Sequence, residues 1–147
     1  MILSKLYSYL LVSIQLFLIF LIALHASFRN TGILPLLIFI AGIILGFWAI
    51  FVMQKSKLRI TPDVAKNAIL VKEGPYKYVR HPMYSSVLTM CLGMVLTNIY
   101  YLTAFFYVLL FIVLFLKINY EEKLLKKHFS DYKIYKTKTK RLIPFLY

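Results

Sequence analysis

Charge-free stretches divide the chain. Residues 6–28 are 23 positions without a formal charge, and residues 30–54 are 25. Leu, Ile and Phe dominate both. A helix crossing a ~30 Å hydrocarbon core needs about 20 apolar residues, so each stretch predicts one crossing. A third stretch, 81–116, has 36 residues. As a single helix it would run about 54 Å, too long for one crossing. The polar pair Thr97-Asn98 near its middle divides it into a short crossing over 83–97 and a longer one over 99–118, joined by a tight turn. The expected fold is an all-α integral membrane protein of about four transmembrane helices, a single domain over 1–147. It comprises two N-terminal crossings (1–53), a loop (54–82), a helical hairpin (83–118) and a basic helical tail (119–147). Within the crossings, Gly42 and Gly46 form a GxxxG spacing with Gly32 nearby, which predicts close helix packing. Gln15 and His25 are the notable polar residues of the first crossing, expected to bond a neighbouring helix or sit near the interface. Trp48 is expected in packing or at the interface. The apolar run 68–71 predicts a short extended segment.

Composition agrees with this pattern. Hydrophobic residues make up 61% and charged residues 16%, with a mean hydropathy of +0.77. Soluble domains are nearer 45–50% apolar and about 25% charged, so disorder and a water-soluble fold are both disfavoured. The single cysteine, Cys91, excludes an internal disulfide and a multi-cysteine zinc site. The first hydrophobic run is longer than a signal-peptide core and lacks a clean small-x-small site, which predicts a retained helix.

The net charge of +13, from 18 Lys and Arg against 5 Asp and Glu, invites a nucleic-acid reading. Position argues otherwise. Sixteen of the 18 basic residues lie in 54–82 and 117–147. The positive-inside rule puts both segments in the cytoplasm. Four crossings satisfy this, with Lys5 also inside and Arg29 outside. One crossing over 81–116 would put the two basic segments on opposite sides, so the charge bias supports the hairpin. The excess is then explained by orientation and attraction to anionic headgroups. No nucleic-acid-binding motif is present.

Candidate chemistry sits in the cytoplasmic half. Gly74-Pro75 marks a turn. Pro82 disfavours helix just before it and suits the first helical position. Arg80 and His81 therefore stand at the mouth of the third crossing, where helix amides and the dipole suit an anion. Interfacial anchoring by Arg and Tyr accounts for the same residues equally well. At the other end of the hairpin, Glu121 and Glu122 are two of only five acidic residues. They can pair with Lys117 and Lys126, each four residues away, as a solvated helix end. Alternatively they hold a cationic amine or a ribose diol. Adjacent helical positions point about 100° apart, so one glutamate can serve a ligand and the other a structural partner. The hairpin would bring Arg80, His81 and Tyr84 beside them, a cleft with a cationic and an anionic half.

The run Gly74-Pro75-Tyr76, Arg80-His81-Pro82-Met83-Tyr84, a hydrophobic hairpin and Glu121-Glu122 resembles the isoprenylcysteine carboxyl methyltransferase family and the related phospholipid N-methyltransferases. Leu125, Phe129, Tyr132, Tyr135 and the Leu142-Ile143-Pro144-Phe145 run fit as well. The resemblance covers roughly 60–147, and the first two crossings carry no family signature. It implies a multi-pass membrane enzyme that uses S-adenosyl-L-methionine to methylate a lipidic or isoprenoid-like acceptor, a carboxylate being one candidate. It places His81, Tyr84, Glu121 and Glu122, with Arg80 and Tyr76, around the cofactor, and puts Tyr135, Lys138 and Arg141 toward the substrate. No catalytic base is assigned; an amine acceptor would need one, and His128 or a glutamate is the candidate. The expected partners are an amphiphilic acceptor arriving from the lipid side and the membrane lipids themselves. The sequence departs from the family pattern at Ser86, where Gly is usual, at Ser130 after Phe129, also usually Gly, and at Lys138, usually Arg. Arg and Lys are not equivalent at a bidentate carboxylate site. An NADPH-dependent membrane reductase of the sterol reductase type and a non-catalytic membrane interaction protein stay open as alternatives.

Overall fold

The structure is a computed structural model that describes residues 2–29, 31–54 and 69–143, with the backbone alone for 2–5. Among these residues are five α-helices: α1 (Ile2–His25), α2 (Ile33–Met53), α3 (Pro82–Thr97), α4 (Tyr101–His128) and α5 (Tyr132–Lys138). A 3-10 turn, Gly74–Lys77, precedes α3. Helices α1, α2 and α4, of 24, 21 and 28 residues, are long and apolar enough to cross a membrane. Helix α3 has 16 residues, about 24 Å, short of a ~30 Å hydrocarbon core. Less than a third of each long span is covered by the rest of the protein. Phe17, Phe20, Phe47, Phe51 and Phe105 face outward. Such a continuous apolar surface needs lipid to cover it.

The chain doubles back where the polar pair predicts. Helix α3 ends at Thr97 and α4 begins at Tyr101. At this turn, Ser27 N–H donates to Thr97 Oγ1 at 3.0 Å and Asn98 Nδ2 donates to the His25 carbonyl at 3.3 Å. The loop after α1 is thereby tied to the hairpin tip. The His25 ring bonds its own helix, at the Leu21 carbonyl.

One expectation is extended and one changes. The helix that carries the crossing expected over 99–118 runs on beyond it to His128. No Gly or Pro interrupts 101–128, and the Glu, Lys and Leu residues after 120 are good helix formers, so loss of hydrophobicity does not end the helix. Gly32 is not part of a packing seam; it is the extended N-cap of α2. The apolar run expected to be extended is non-helical over 69–72, while Ala68 and the basic residues Lys55, Lys57, Arg59 and Lys66 lie outside the described residues.

A core of Leu18, Ile22, Leu88, Cys91, Val95, Leu110, Leu114 and Ile118 joins α1, α3 and α4, with Leu142 closing one end. Helix α2 packs most extensively on α3. A Cβ on Gly42 would overlap the backbone of Met90, and one on Gly93 would come 2.6 Å from Phe39 N. The backbones approach as small-residue seams allow. Gly46 belongs to the same seam, with its virtual Cβ 3.1 Å from Ser86 Oγ. The departure from the family pattern at Ser86 is thus accommodated by a glycine on the facing helix.

Candidate functional site

Local chemistry fixes the Tyr76–Tyr84 corner. Gly74 has φ +55°, a left-handed conformation that glycine adopts at no steric cost. A side chain there would also meet Val52 and Trp48. This turn sets Tyr76 against Ala49 and Val52 of α2. His81 is the N-cap of α3 and Pro82 its first residue. The helix start differs from the expected anion site. Pro82 has no N–H, and the amides of Tyr84 and Ser85 already bond the His81 carbonyl at 3.0 and 3.1 Å. The dipole remains, but the row of open amides does not.

The tail returns to this corner. Val79 and Lys140 form an isolated parallel bridge. Arg80 N–H donates to the Lys140 carbonyl at 2.8 Å, and His81 N–H to the Arg141 carbonyl at 3.1 Å. Ser85 Oγ donates to the Leu142 carbonyl at 2.6 Å. Tyr135 OH donates to the Tyr76 carbonyl at 2.6 Å. Residues 135–142 are thus stitched to the α3 entrance.

The two glutamates occupy different environments. Glu122 is 2% exposed and sits among cations: Arg80 Nε at 2.9 Å, Arg141 Nη2 at 3.3 Å and Lys136 Nζ at 3.5 Å. Arg80 Nη1 also donates to the carbonyls of Lys136 and Thr139. Glu121 is half-buried. It accepts a hydrogen bond from Tyr84 OH at 2.9 Å, and His81 Nδ1 lies 3.5 Å from the same carboxylate oxygen. The His81 ring stacks on Tyr84, with centroids 5.6 Å apart and planes 10° apart. Neither glutamate makes the helix-surface pairs expected with Lys117 and Lys126. Lys117 is buried, bonds Gln15 Oε1 on α1 and lies 5.1 Å from the Tyr84 ring centroid. Glu122 points to the tail instead, where Arg80 from the α3 entrance and Arg141 from the returning tail both reach it.

Burial opposes a charge on His81, but the nearby Glu121 and Glu122 carboxylates outweigh it, so its pKa stands above the ordinary imidazole value. Its Nε2 is 3.7 Å from Glu122 Oε1 and has no hydrogen-bond partner among the described residues. The buried hydroxyls of Tyr76 and Tyr132 are likewise unpartnered. Burial, then the negative charge of Glu121, pushes the Tyr76 phenol far above its usual range. For Tyr132, burial and Glu122 do the same. Both stay neutral donors. Such orphaned groups are rare in a finished interior and suit a polar ligand.

Tyr76, Arg80, His81, Tyr84, Glu121 and Glu122 are therefore brought together. The tail residues divide: Arg141 is shared with Glu122, Tyr135 is buried against Tyr76, and Lys138 is exposed on α5. His128 is exposed at the end of α4, its ring edge-on to Phe129. Sequence reasoning missed Lys136 and Tyr132 at this site, and the burial of Lys117. The lysines carried no signal to separate them from their neighbours.

No curated protein and no solved structure matches the chain. The phospholipid methyltransferase family model matches residues 30–132. The match takes in α2, α3, α4 and all six clustered residues, and reaches back over a crossing in which the sequence shows no signature. These residues place the chain in the phospholipid methyltransferase family, the family that includes the isoprenylcysteine carboxyl methyltransferase-like proteins.

Proposed function

We propose that this integral membrane methyltransferase uses S-adenosyl-L-methionine, bound at the His81–Tyr84–Glu121 corner, to methylate a lipidic or isoprenoid-like acceptor. The observation that carries the reading is one juxtaposition. A buried histidine with an unpartnered Nε2 stands beside a half-buried carboxylate whose partners among the described residues are Tyr84 and the histidine itself. A donor for a carboxylate and an acceptor for an ammonium or a ribose diol are what an amino-acid nucleoside requires. Glu121 accepts from the ammonium or the diol, with Tyr84 OH fixing its orientation. His81 Nε2 donates to the carboxylate, and the Tyr76 and Tyr132 hydroxyls supply further donors. Glu122 and Arg80 hold the frame. The bound cofactor supplies an electrophilic methyl group on a sulfonium with a neutral leaving group. Alignment and exclusion of water are then the main tasks left to the protein. The two carboxylates hold the His81 proton more tightly than in an ordinary imidazole, which makes the ring less available as a base and favours an acceptor that is already anionic, such as a carboxylate, over an ammonium that must first lose a proton.

In this reading α3 makes a fourth, short crossing, and the site, the loop 54–82 and the tail face the cytoplasm. Arg141 and Lys138 attract the acceptor headgroup at the rim, and Tyr135 braces Tyr76. The acceptor's chain stays in the lipid beside the bundle.

The test is calorimetric binding of S-adenosylhomocysteine to purified protein in nanodiscs, followed by tritium transfer from labelled S-adenosylmethionine into membrane extract. Saturable binding and a labelled lipid-soluble product are expected. Binding of NADPH in place of S-adenosylhomocysteine would overturn the reading, and so would label appearing only in water-soluble products.

A further inference from the structure

Three of the donors at this corner are closed off from outside. Tyr76, His81 and Tyr132 are 3%, 4% and 0% exposed, yet each carries a polar atom without a partner among the described residues. Glu121 beside them is only half-buried. A ligand can meet that carboxylate directly, but it meets the full set only when something moves. The turn that carries Tyr76 is seated on Ala49 and Val52 of α2, and His81 caps α3. Tyr132 is placed differently: it opens α5, and only residues 129–131 join it to the end of α4. The tail beyond is held to the corner by the isolated Val79–Lys140 bridge and by the bonds from Tyr135 OH to the Tyr76 carbonyl and from Ser85 Oγ to the Leu142 carbonyl. At the α4–α5 link, Lys72 pairs with Asp131 at 3.6 Å on the surface, where such pairs hold little. Lifting the tail strands no charge. Lys136 and Arg141 would leave Glu122, but Arg80, at 2.9 Å and on the α3 side, stays. A buried carboxylate that keeps a cation avoids the heavy cost of an unpaired one.

We infer that residues 132–142 are a lid, which swings on residues 129–131 to admit the cofactor and closes with the Tyr132 hydroxyl over it. This rests on the proposed reading of the Glu121 corner as the cofactor site. Short links at the ends of elements are where hinges sit, and lid opening sets the pace of exchange in many enzymes. The lid has a kinetic signature. The bond from Ser85 to the Leu142 carbonyl belongs to the closed tail with or without a ligand beneath it. Weakening it raises the open fraction of both states by the same factor, so entry and release quicken together and affinity stays. The Tyr132 hydroxyl has no partner among the described residues, so removing it costs the bound state alone. Release then quickens and entry does not.

The probe is tritiated S-adenosylhomocysteine on the full chain in nanodiscs, with entry read by rapid mixing and release by a chase of unlabelled ligand. Ser85→Ala is expected to raise both rates about three- to tenfold, the scale of one hydrogen bond, and to leave Kd within about twofold. Tyr132→Phe is expected to raise the release rate alone by a similar factor of about three to ten. Any Ser85→Ala result other than a joint rise overturns the lid. Hydrogen exchange on wild type needs no variant. Without ligand, the Lys140 amide, which bonds the Tyr78 carbonyl, should exchange faster than the amides of 110–118 in α4. Ligand at about ten times Kd should slow it about tenfold. A Lys140 amide as slow as those of α4 in the free protein, or one that bound ligand leaves unchanged, overturns the lid as well. Failure of wild type to bind S-adenosylhomocysteine is a separate result: it overturns the cofactor reading, and the ligand-free exchange still judges whether the tail opens.

Discussion

Glu121 and Glu122 are neighbours in sequence on the same turn of α4, yet they inhabit different regions. Around Glu122 the protein is closed: two arginines and a lysine lie within ion-pair distance of one buried carboxylate, and Arg80 reaches onward to two tail carbonyls. Around Glu121 it is open: a tyrosine hydroxyl and a histidine meet a carboxylate that keeps 26% of its side-chain surface exposed. The roughly 100° between successive helical positions is enough to give one carboxyl to the scaffold and leave the other partly open to solvent. A buried ion pair locks geometry without adding much net stability over an apolar pair, but losing one member is severe. A partly exposed carboxylate held by a tyrosine hydroxyl and an imidazole is cheaper to uncover and can change partner.

The largest effect should separate the two at once. Glu122→Ala leaves the Arg80 guanidinium buried and uncompensated, and is expected to lose about 3–5 kcal/mol of stability. Thermal unfolding in detergent reads this. Replacing both, Arg80→Met with Glu122→Met, should recover most of the loss, because an apolar pair of similar volume tolerates burial. Wild-type stability in Glu122→Ala would break the distinction.

Glu121→Gln should do the opposite. Its unfolding is expected within about 1 kcal/mol of wild type, the scale of one hydrogen bond. S-adenosylhomocysteine affinity should fall about tenfold or more, the scale of a lost charge-assisted contact. Calorimetry and unfolding on the same sample decide it. A smaller change follows from Tyr84→Phe, which keeps the ring over His81 but removes the hydrogen bond that orients Glu121. About 0.5–1.5 kcal/mol is expected from stability, with a few-fold loss in cofactor affinity.

The gentlest probe is pH. His81 has a raised pKa in the folded protein, because two carboxylates outweigh burial. The folded state therefore binds its proton more tightly than the unfolded chain, whose imidazole titrates near about 6.5. The stability gained is complete below that value and is lost as pH rises through the folded one. The melting temperature should decline across that window, and His81→Gln should flatten the decline. An unchanged slope in the variant would show that the carboxylates do not act on His81.

Much of this was readable from residue order. The charge-free stretches located α1, α2 and the hairpin, and Thr97-Asn98 marked the turn, because a membrane core tolerates neither charge nor unsatisfied backbone. Pro82 announced the start of α3 through its missing N–H and fixed φ. The glycine spacing at 42 and 46 foretold a close helix seam. Less visible was anything decided by a partner distant in sequence. The end of α4 was not legible, because hydrophobicity marks where a membrane stops, not where a helix does. That Glu122 rather than Glu121 would be tied down depends on Arg80 and Arg141 converging with the tail, and no periodicity reports that. Lys117 reads as a surface lysine at i−4 from Glu121; only the packing of α1 on α4 shows that its partner is Gln15.

The stitching of residues 135–142 to the α3 entrance sets an order of manufacture. A ribosome makes α1, α2, α3 and α4 before it releases the carbonyls of Thr139, Lys140 and Arg141 that accept from Arg80 and His81. A nascent chain interrupted at that stage would hold its transmembrane segments in place with an unfinished corner. The corner would therefore be completed last, when the tail carbonyls become available to Arg80 and His81.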